Sequence, residues 1–281
     1  MCEFCHTHGE GKKWYLQAKN YSEDFLSDIK RRKFIEDFFI HPEKTFQDTE
    51  KAGQLEKLPR ALKNAISKRI TRNQKEIHFG QVVPIEDIQN IFNFVTSIVR
   101  LECICRKGKL GLRNQRYCYG VSLAPNGGQM TEIIKNIDPS YLFGPDNKEL
   151  EVLSKEKTLK LFKEYEREGL CHTVWTFHTP FIGGICNCNS LDCSAMRMTV
   201  GHKIPVMFKA EYIAEVNVDL CNGCKACSKV CQFSAINFDS ASKKSSINQQ
   251  NCYGCGICRS VCKKNAIKLA ECNEMEAIHD N

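Results

Sequence analysis

Three absences narrow the field. The N-terminus, MCEFCHTHGEGKKWYLQ, lacks the apolar stretch of a signal peptide. No apolar run approaches the roughly 18–20 residues that span a bilayer. No phosphate-cradling glycine loop, dinucleotide fingerprint or nucleophile elbow occurs, and the G-x-x-x-x-G-K-S/T pattern is missing. The first two absences make the cytoplasm the expected location. The third leaves an enzyme only one place for its chemistry, a metal.

Cysteine is what the chain has in excess. It carries 18 in 281 residues. In a reducing compartment so many thiols point to metal rather than disulfides, and on iron they suggest an oxygen-poor setting. The net charge of +7 suits an acidic protein partner, a nucleic acid or an anionic surface, and equally serves solubility.

Taken in order, residues 1–13 hold Cys2, Cys5, His6 and His8. C-x-x-C-H spells a c-type haem attachment site. That reading is set aside because such attachment goes with export. Cys2, Cys5 and His8 instead make a metal half-site, short of at least one ligand, for zinc or iron. Idle thiols on a terminus are the alternative.

The spacing then predicts helices over 21–40, with Ser22 as cap, and over 54–72, with Leu55, Leu58, Leu62, Ala65, Ile66 and Ile70 on one stripe. The second is basic. Without interleaved aromatics it is a weak nucleic-acid signal. Val82-Val83-Pro84 is extended, and 85–100 reads as an amphipathic helix running into Cys103 and Cys105. Residues 117–123 are extended and contain Cys118. Asn126-Gly127-Gly128 is a turn, followed by a helix over 128–137. A further helix over 154–168 is capped by Ser154 and stopped by Gly169, and 170–177 is a strand with Cys171, His172 and Trp175. A glycine-containing loop carries Cys186, Cys188 and Cys193. It resembles the 103–118 stretch in having C-x-C and then another cysteine, too weakly to claim a duplication. Residues 210–219 form a strand, and 240–246 a polar tip.

Between Cys221 and Cys262 two ladders of identical cysteine spacing appear, C-N-G-C-K-A-C-S-K-V-C and C-Y-G-C-G-I-C-R-S-V-C, with twenty residues between them. Two-residue gaps let a chain wrap a compact core, and small residues such as Gly223, Ala226, Gly254 and Gly256 let the backbone come close. The ladders resemble the bacterial-type ferredoxin domain with two [4Fe–4S] clusters, in which each fourth cysteine serves the other cluster. The resemblance implies one cluster on Cys221, Cys224, Cys227 and Cys262, and a second on Cys252, Cys255, Cys258 and Cys231. It also implies paired strands at Ala235-Ile236 and Ala266-Ile267. The family's proline after each fourth cysteine is absent, with Gln232 and Lys263 in its place. Zinc in the ladders is a minor alternative.

Six more cysteines, Cys103, Cys105, Cys118, Cys186, Cys188 and Cys193, stand in the middle of the chain, with Cys171 nearby. If the two C-x-C segments meet in space, a third centre forms there, an iron–sulfur cluster or zinc. Scattered buried cysteines are the alternative. The arrangement resembles that in uncharacterised iron–sulfur proteins of anaerobes, which names no substrate. His172 and His178 are candidate ligands or acid–base groups beside it, and Arg106 would favour a thiolate or an anion. Cys272 is idle or completes the Cys2/Cys5 site.

The expected architecture is α+β. A mostly helical N-terminal region (1–78) precedes a cysteine-rich mixed α/β unit (79–208). A ferredoxin-like domain with two pseudo-symmetric cluster-binding halves (209–270) and a polar tail (271–281) follow. The expected function is electron transfer through two [4Fe–4S] clusters to a third centre or to a partner redox enzyme. A reductase or activating enzyme working at the middle cysteines is the second reading, and a zinc-stabilised nucleic-acid binder the third. Donor, acceptor and oligomeric state are unspecified.

Overall fold

The computed structural model of the chain describes residues 13–143 and 149–272. Cys2, Cys5 and His8 lie outside the described residues. The described chain is α+β. Three 3-10 turns (Trp14–Leu16, Ala18–Tyr21, Glu23–Ser27) lead into helix α1 (Ile29–Ile40). Ser22 does cap, but it caps a 3-10 turn. The α-helix begins after Asp28, whose Oδ1 accepts from the Lys30 and Arg31 amides at 2.8 and 3.4 Å.

Helix α2 (Pro42–Gln54) follows, then α3 (Arg60–Ile77). The stripe predicted on 54–72 does not become a core face. No residue of α3 is buried, and Leu62 is 49% exposed. The helix between β1 (Gly80–Val82) and β2 (Ser97–Leu101) is also shorter than its periodicity predicts. α4 (Ile85–Phe94) stops at the extended Val95. Thr-Ser-Ile-Val favours a strand because branched side chains pack well on a pleated surface.

Helix α5 (Ile104–Leu110), strand β3 (Cys118–Ser122), helix α6 (Gly128–Ile137) and helix α7 (Lys155–Arg167) come next. Ser154 caps α7 through its Oγ, which accepts from the Lys157 amide at 3.2 Å. Strand β4 (Cys171–Thr176) follows, then β5 (Ile182–Cys188). The segment expected as a glycine loop is therefore strand, and the turn lies before it, at 177–181. Since Cys103 and Cys105 begin a helix while Cys186 and Cys188 lie in a strand, the two C-x-C segments differ in conformation.

With β6 (Met207–Phe208), these strands form one sheet in the order β2-β3-β5-β4-β1-β6. Neighbours are antiparallel except β1 and β6. Because successive side chains alternate, the pairing sorts residues onto two faces. One face carries Ile98, Tyr119, Ile185 and Val174, which pack with Phe92 of α4 and with Phe162 and Tyr165 of α7. Each such buried side chain contributes roughly 1.5–3 kcal/mol. The other face carries Leu101, Cys118, Cys186, Cys188, Thr173, Cys171 and Trp175. Part of it is covered by Ile35 and Phe39 of α1 and Ile133 and Ile134 of α6.

The C-terminal region has two two-stranded sheets. β7 (Tyr212–Val216) pairs with β10 (Ile267–Glu271), and β8 (Ile236–Asp239) pairs with β9 (Lys244–Ile247). The strands after the two ladders are paired, but not with each other. Each takes a partner from outside the ladders. Short helices α8 (Ala226–Val230) and α9 (Ile257–Ser260) stand within the ladders.

Candidate metal centres

The eight ladder cysteines fall into two groups. Cys221, Cys224, Cys227 and Cys262 line one small hollow. Cys255, Cys252 and Cys231 lie close enough to Cys258 to push its thiol upward electrostatically, after burial itself, and Cys227 of the first group adds a smaller push, so the two groups adjoin. Backbone amides point at these sulfurs. Ala235 N–H donates to Cys231 Sγ and Ala266 N–H to Cys262 Sγ, both at 3.3 Å. Ala214 and Gly254 N–H both reach Cys252 Sγ at 3.5 Å. Amides aimed at sulfur suit a charged thiolate, so the donor set fits cluster ligation. Gly223 and Gly254 have φ of +68° and +66°, and a Cβ on either would lie 2.1 Å from a backbone oxygen, so these turns require glycine.

The absent proline has a structural counterpart. Gln232 Nε2 donates to Gly169 O, and Gln232 Oε1 accepts from Ser190 N–H, both at 2.9 Å. That side chain ties the end of the first ladder to the turn after α7 and the loop after β5. Lys263, after the second ladder, makes no such tie among the described residues.

The six middle cysteines converge. β3 and β5 set Cys118 opposite Cys186, and Cys186 Sγ approaches Cys118 Sγ at 3.2 Å. Cys103, which precedes α5, hydrogen-bonds Cys118, and Cys186 also reaches Cys188. Cys193, which begins a short helical turn, bonds Cys188 and Cys105. The five contacts run 103–118–186–188–193–105 and return to the C-x-C from which they began, so the Cys103–Cys105 backbone closes the six thiols into a ring. Hydrogen bonds from Cys103 and Cys186 pull the Cys118 thiol well below its usual range. Those from Cys186 and Cys193 pull Cys188 down to about 5. The ring thus favours at least two thiolates, the form that binds metal.

Arg106 supplies the matching charge. Its side chain is 6% exposed, with Nε 3.1 Å from Asp192 Oδ2 and one terminal nitrogen 3.8 Å from Cys103 Sγ. Its guanidinium lies 4.2 Å from the Tyr117 ring centroid. Asp192 is a residue the sequence did not flag. Among the described residues no three His, Cys, Asp or Glu side chains stand as a ready single-ion site.

The two histidines expected nearby are elsewhere. His172 lies on the opposite sheet face, fully buried, stacked on Phe162 with ring centroids 4.9 Å apart, and 2.6 Å from Asn187 Oδ1 through Nδ1. His178 sits in the turn before β5 with its ring against Phe34. Cys171 has a role its spacing did not indicate. It is fully buried, faces Cys188 across the β4–β5 ladder, and hydrogen-bonds Cys255. It belongs to a packed cluster with Cys188 and Cys193 on one side and Phe233, Tyr253 and Cys255 on the other. Cys272, at the end of β10, donates its amide to Glu211 O at 3.1 Å.

The six-thiol ring forms part of the lining of a cavity of about 400 Å³. No helix among the described residues is long and apolar enough to cross a membrane. A family model described as a 4Fe-4S dicluster domain matches residues 220–266. No curated protein matches the chain. Residues 220–266 are therefore a ferredoxin-like 4Fe-4S dicluster domain, and an iron–sulfur electron-transfer role in general follows from it.

Proposed function

We propose that this chain relays single low-potential electrons through two [4Fe–4S] clusters to a third centre held by the middle cysteines, or to a partner redox enzyme. One cluster takes Cys221, Cys224, Cys227 and Cys262, and the other Cys231, Cys252, Cys255 and Cys258. The clusters supply the one-electron chemistry. The protein's share is to hold the thiolates, donate amides to their sulfurs and exclude water. The third centre draws on Cys103, Cys105, Cys118, Cys186, Cys188 and Cys193. As an iron–sulfur cluster it accepts the electrons; as zinc, which has no redox chemistry, it would be structural and the electrons would go to the partner enzyme.

The observation that carries this reading is the convergence of six thiols in one run of contacts, next to the dicluster domain through the Cys171–Cys255 contact. It makes the middle of the chain a destination for electrons rather than a scaffold. The C-terminal domain then acts as the wire, in keeping with the division into residues 1–78, 79–208 and 209–270.

Metal and sulfide content of the anaerobically purified chain tests it. The dicluster domain accounts for about eight iron and eight sulfide, and a third cubane raises both to about twelve. In the C186S/C188S double variant the count returns to about eight, with the dicluster signals retained. A count of eight in the unaltered chain removes a third cubane. A colourless, zinc-loaded protein overturns the whole reading.

The second reading, a reductase working at the middle centre, is favoured by one feature. The cavity does not end at the thiols but runs out to the surface.

A further inference from the structure

The cavity over the six thiols is larger and more varied than a sulfur cage. Its volume of about 400 Å³ falls within the range of small-molecule sites and includes the space that a centre on the thiols would take, the outer part remaining for a ligand. It starts at the buried thiols and is walled by Phe38, Trp175, Phe177 and His78. It ends among Asp37, Lys44, Asp48 and Asn73, all exposed, at a mouth framed by α1, α2 and α3.

Part of the room comes from Gly184. It occupies the same β5 face as Cys186 and Cys188, between Gly120 and Trp175. A Cβ there would meet only Tyr119 O, at 3.6 Å, an ordinary contact. The position is therefore open space that a side chain could occupy.

His78 adds a polar group. Its ring lies among Phe38, Trp175 and Phe177, with centroids 4.8, 4.9 and 5.1 Å away. Nδ1 bonds the Thr176 carbonyl, so it carries the proton. Nε2 is then a bare acceptor, with no hydrogen-bond partner among the described residues. Burial, outweighing that carbonyl, lowers the ring's pKa to about 4, so it is neutral. An acceptor framed by aromatic rings beside a cavity specifies the complementary ligand.

We propose that this cavity binds a small planar aromatic molecule, with the ring between the aromatic walls and an O–H or N–H donated to His78 Nε2. The proposal goes beyond electron relay, since it gives the thiol centre an organic ligand as a neighbour.

Phenol and anisole test it as a matched pair, being alike in ring and oxygen but differing in the donor. Each is titrated calorimetrically into the anaerobically purified, iron-loaded full chain. Phenol binds about fivefold tighter than anisole, the worth of one net hydrogen bond. His78→Phe erases that preference and keeps anisole affinity within about twofold. Gly184→Leu, which fills the floor, removes both. Iron content and the melting curve of each variant check that it is folded and loaded. If Gly184→Leu fails that check, Gly184→Ala and His78→Phe still carry the test.

The proposal is overturned if neither compound binds, if the two bind equally to the unaltered chain, or if binding survives Gly184→Leu. Iron content of the same samples separates it from the relay reading. About twelve iron with no binding defeats the pocket and leaves the relay. About eight iron with phenol bound defeats the third cubane and leaves the pocket.

Discussion

Cys171 and His172 are neighbours in sequence and point to opposite faces of one strand, and each makes a separate prediction. Burial, then the interaction with Cys255, holds the Cys171 thiol well above its usual range, so it stays protonated, its S–H shared between Cys255 and the His172 carbonyl 3.7 Å away. The same interaction lowers Cys255. Hydrogen bonds to a ligand sulfur raise a cluster's potential by easing the added negative charge. If Cys255 serves the second cluster, Cys171→Ala shifts that cluster to lower potential and leaves the first unmoved, while Cys171→Ser retains most of the original value. A redox titration followed by EPR reads both. His172 is held neutral by burial, which lowers its pKa from 6.5 to about 4 despite the bond to Asn187. The unfolded chain then binds more protons than the folded one between those values. Stability is full above pH 6.5 and falls as pH drops toward 4, by about 3 kcal/mol. His172→Gln removes that part of the slope, seen as a smaller loss of melting temperature between pH 7 and pH 5.

At the scale of elements, turns and caps were the most legible. Asn126, Gly127 and Gly128 all have positive φ, as the turn at 126–128 requires, and α6 starts where expected. Gly127 also lies tight. A Cβ there would stand 2.0 Å from Thr131 Oγ1 and 2.7 Å from Val99 Cγ2, at φ +79°. Gly127→Ala therefore costs on the order of 1–3 kcal/mol, measurable by denaturant unfolding. Periodicity misled where tertiary contacts decide. The 85–100 pattern is apolar at helical spacing, yet Ile98 and Val99 pack as well from the two faces of a strand. Helix α2 went unread because PEKTFQDTEKAGQ offers few apolar residues, and it earns its place through contacts with α5. The six thiols were legible as candidates, but their convergence depends on strand register, which spacing does not encode. His78 and Gly184 carried no local signal. A histidine and a glycine acquire meaning there only from the cavity between them.

Across the whole molecule, the two cluster sites differ in exposure. Cys224 is exposed, whereas Cys252 and Cys258 are buried. The second site also abuts the sheet unit, through Cys171, the Phe233–Tyr253 stack (centroids 4.0 Å apart, 6° between planes) and Arg259, which pairs with Glu86 at 2.6 Å. Under the proposed relay, this polarity puts the entry at the first site and the exit, toward the middle thiols, at the second. Gln232 holds the exit in register. Gln232→Ala should leave iron content unchanged and raise amide hydrogen exchange at Ser190, whose N–H loses its acceptor.

The alternation of β5 has a consequence for how the protein is assembled. The ladder cysteines are near neighbours in sequence, so an emerging chain can begin to grip iron there through local segments alone. Cys118 and Cys186 are separated by 68 residues and meet only when β3 and β5 are paired in one register. A slip of one residue would turn Cys186 and Cys188 to the opposite side of the sheet. The middle thiol array is therefore created by completed folding, and a metal bound there, as proposed, would come last.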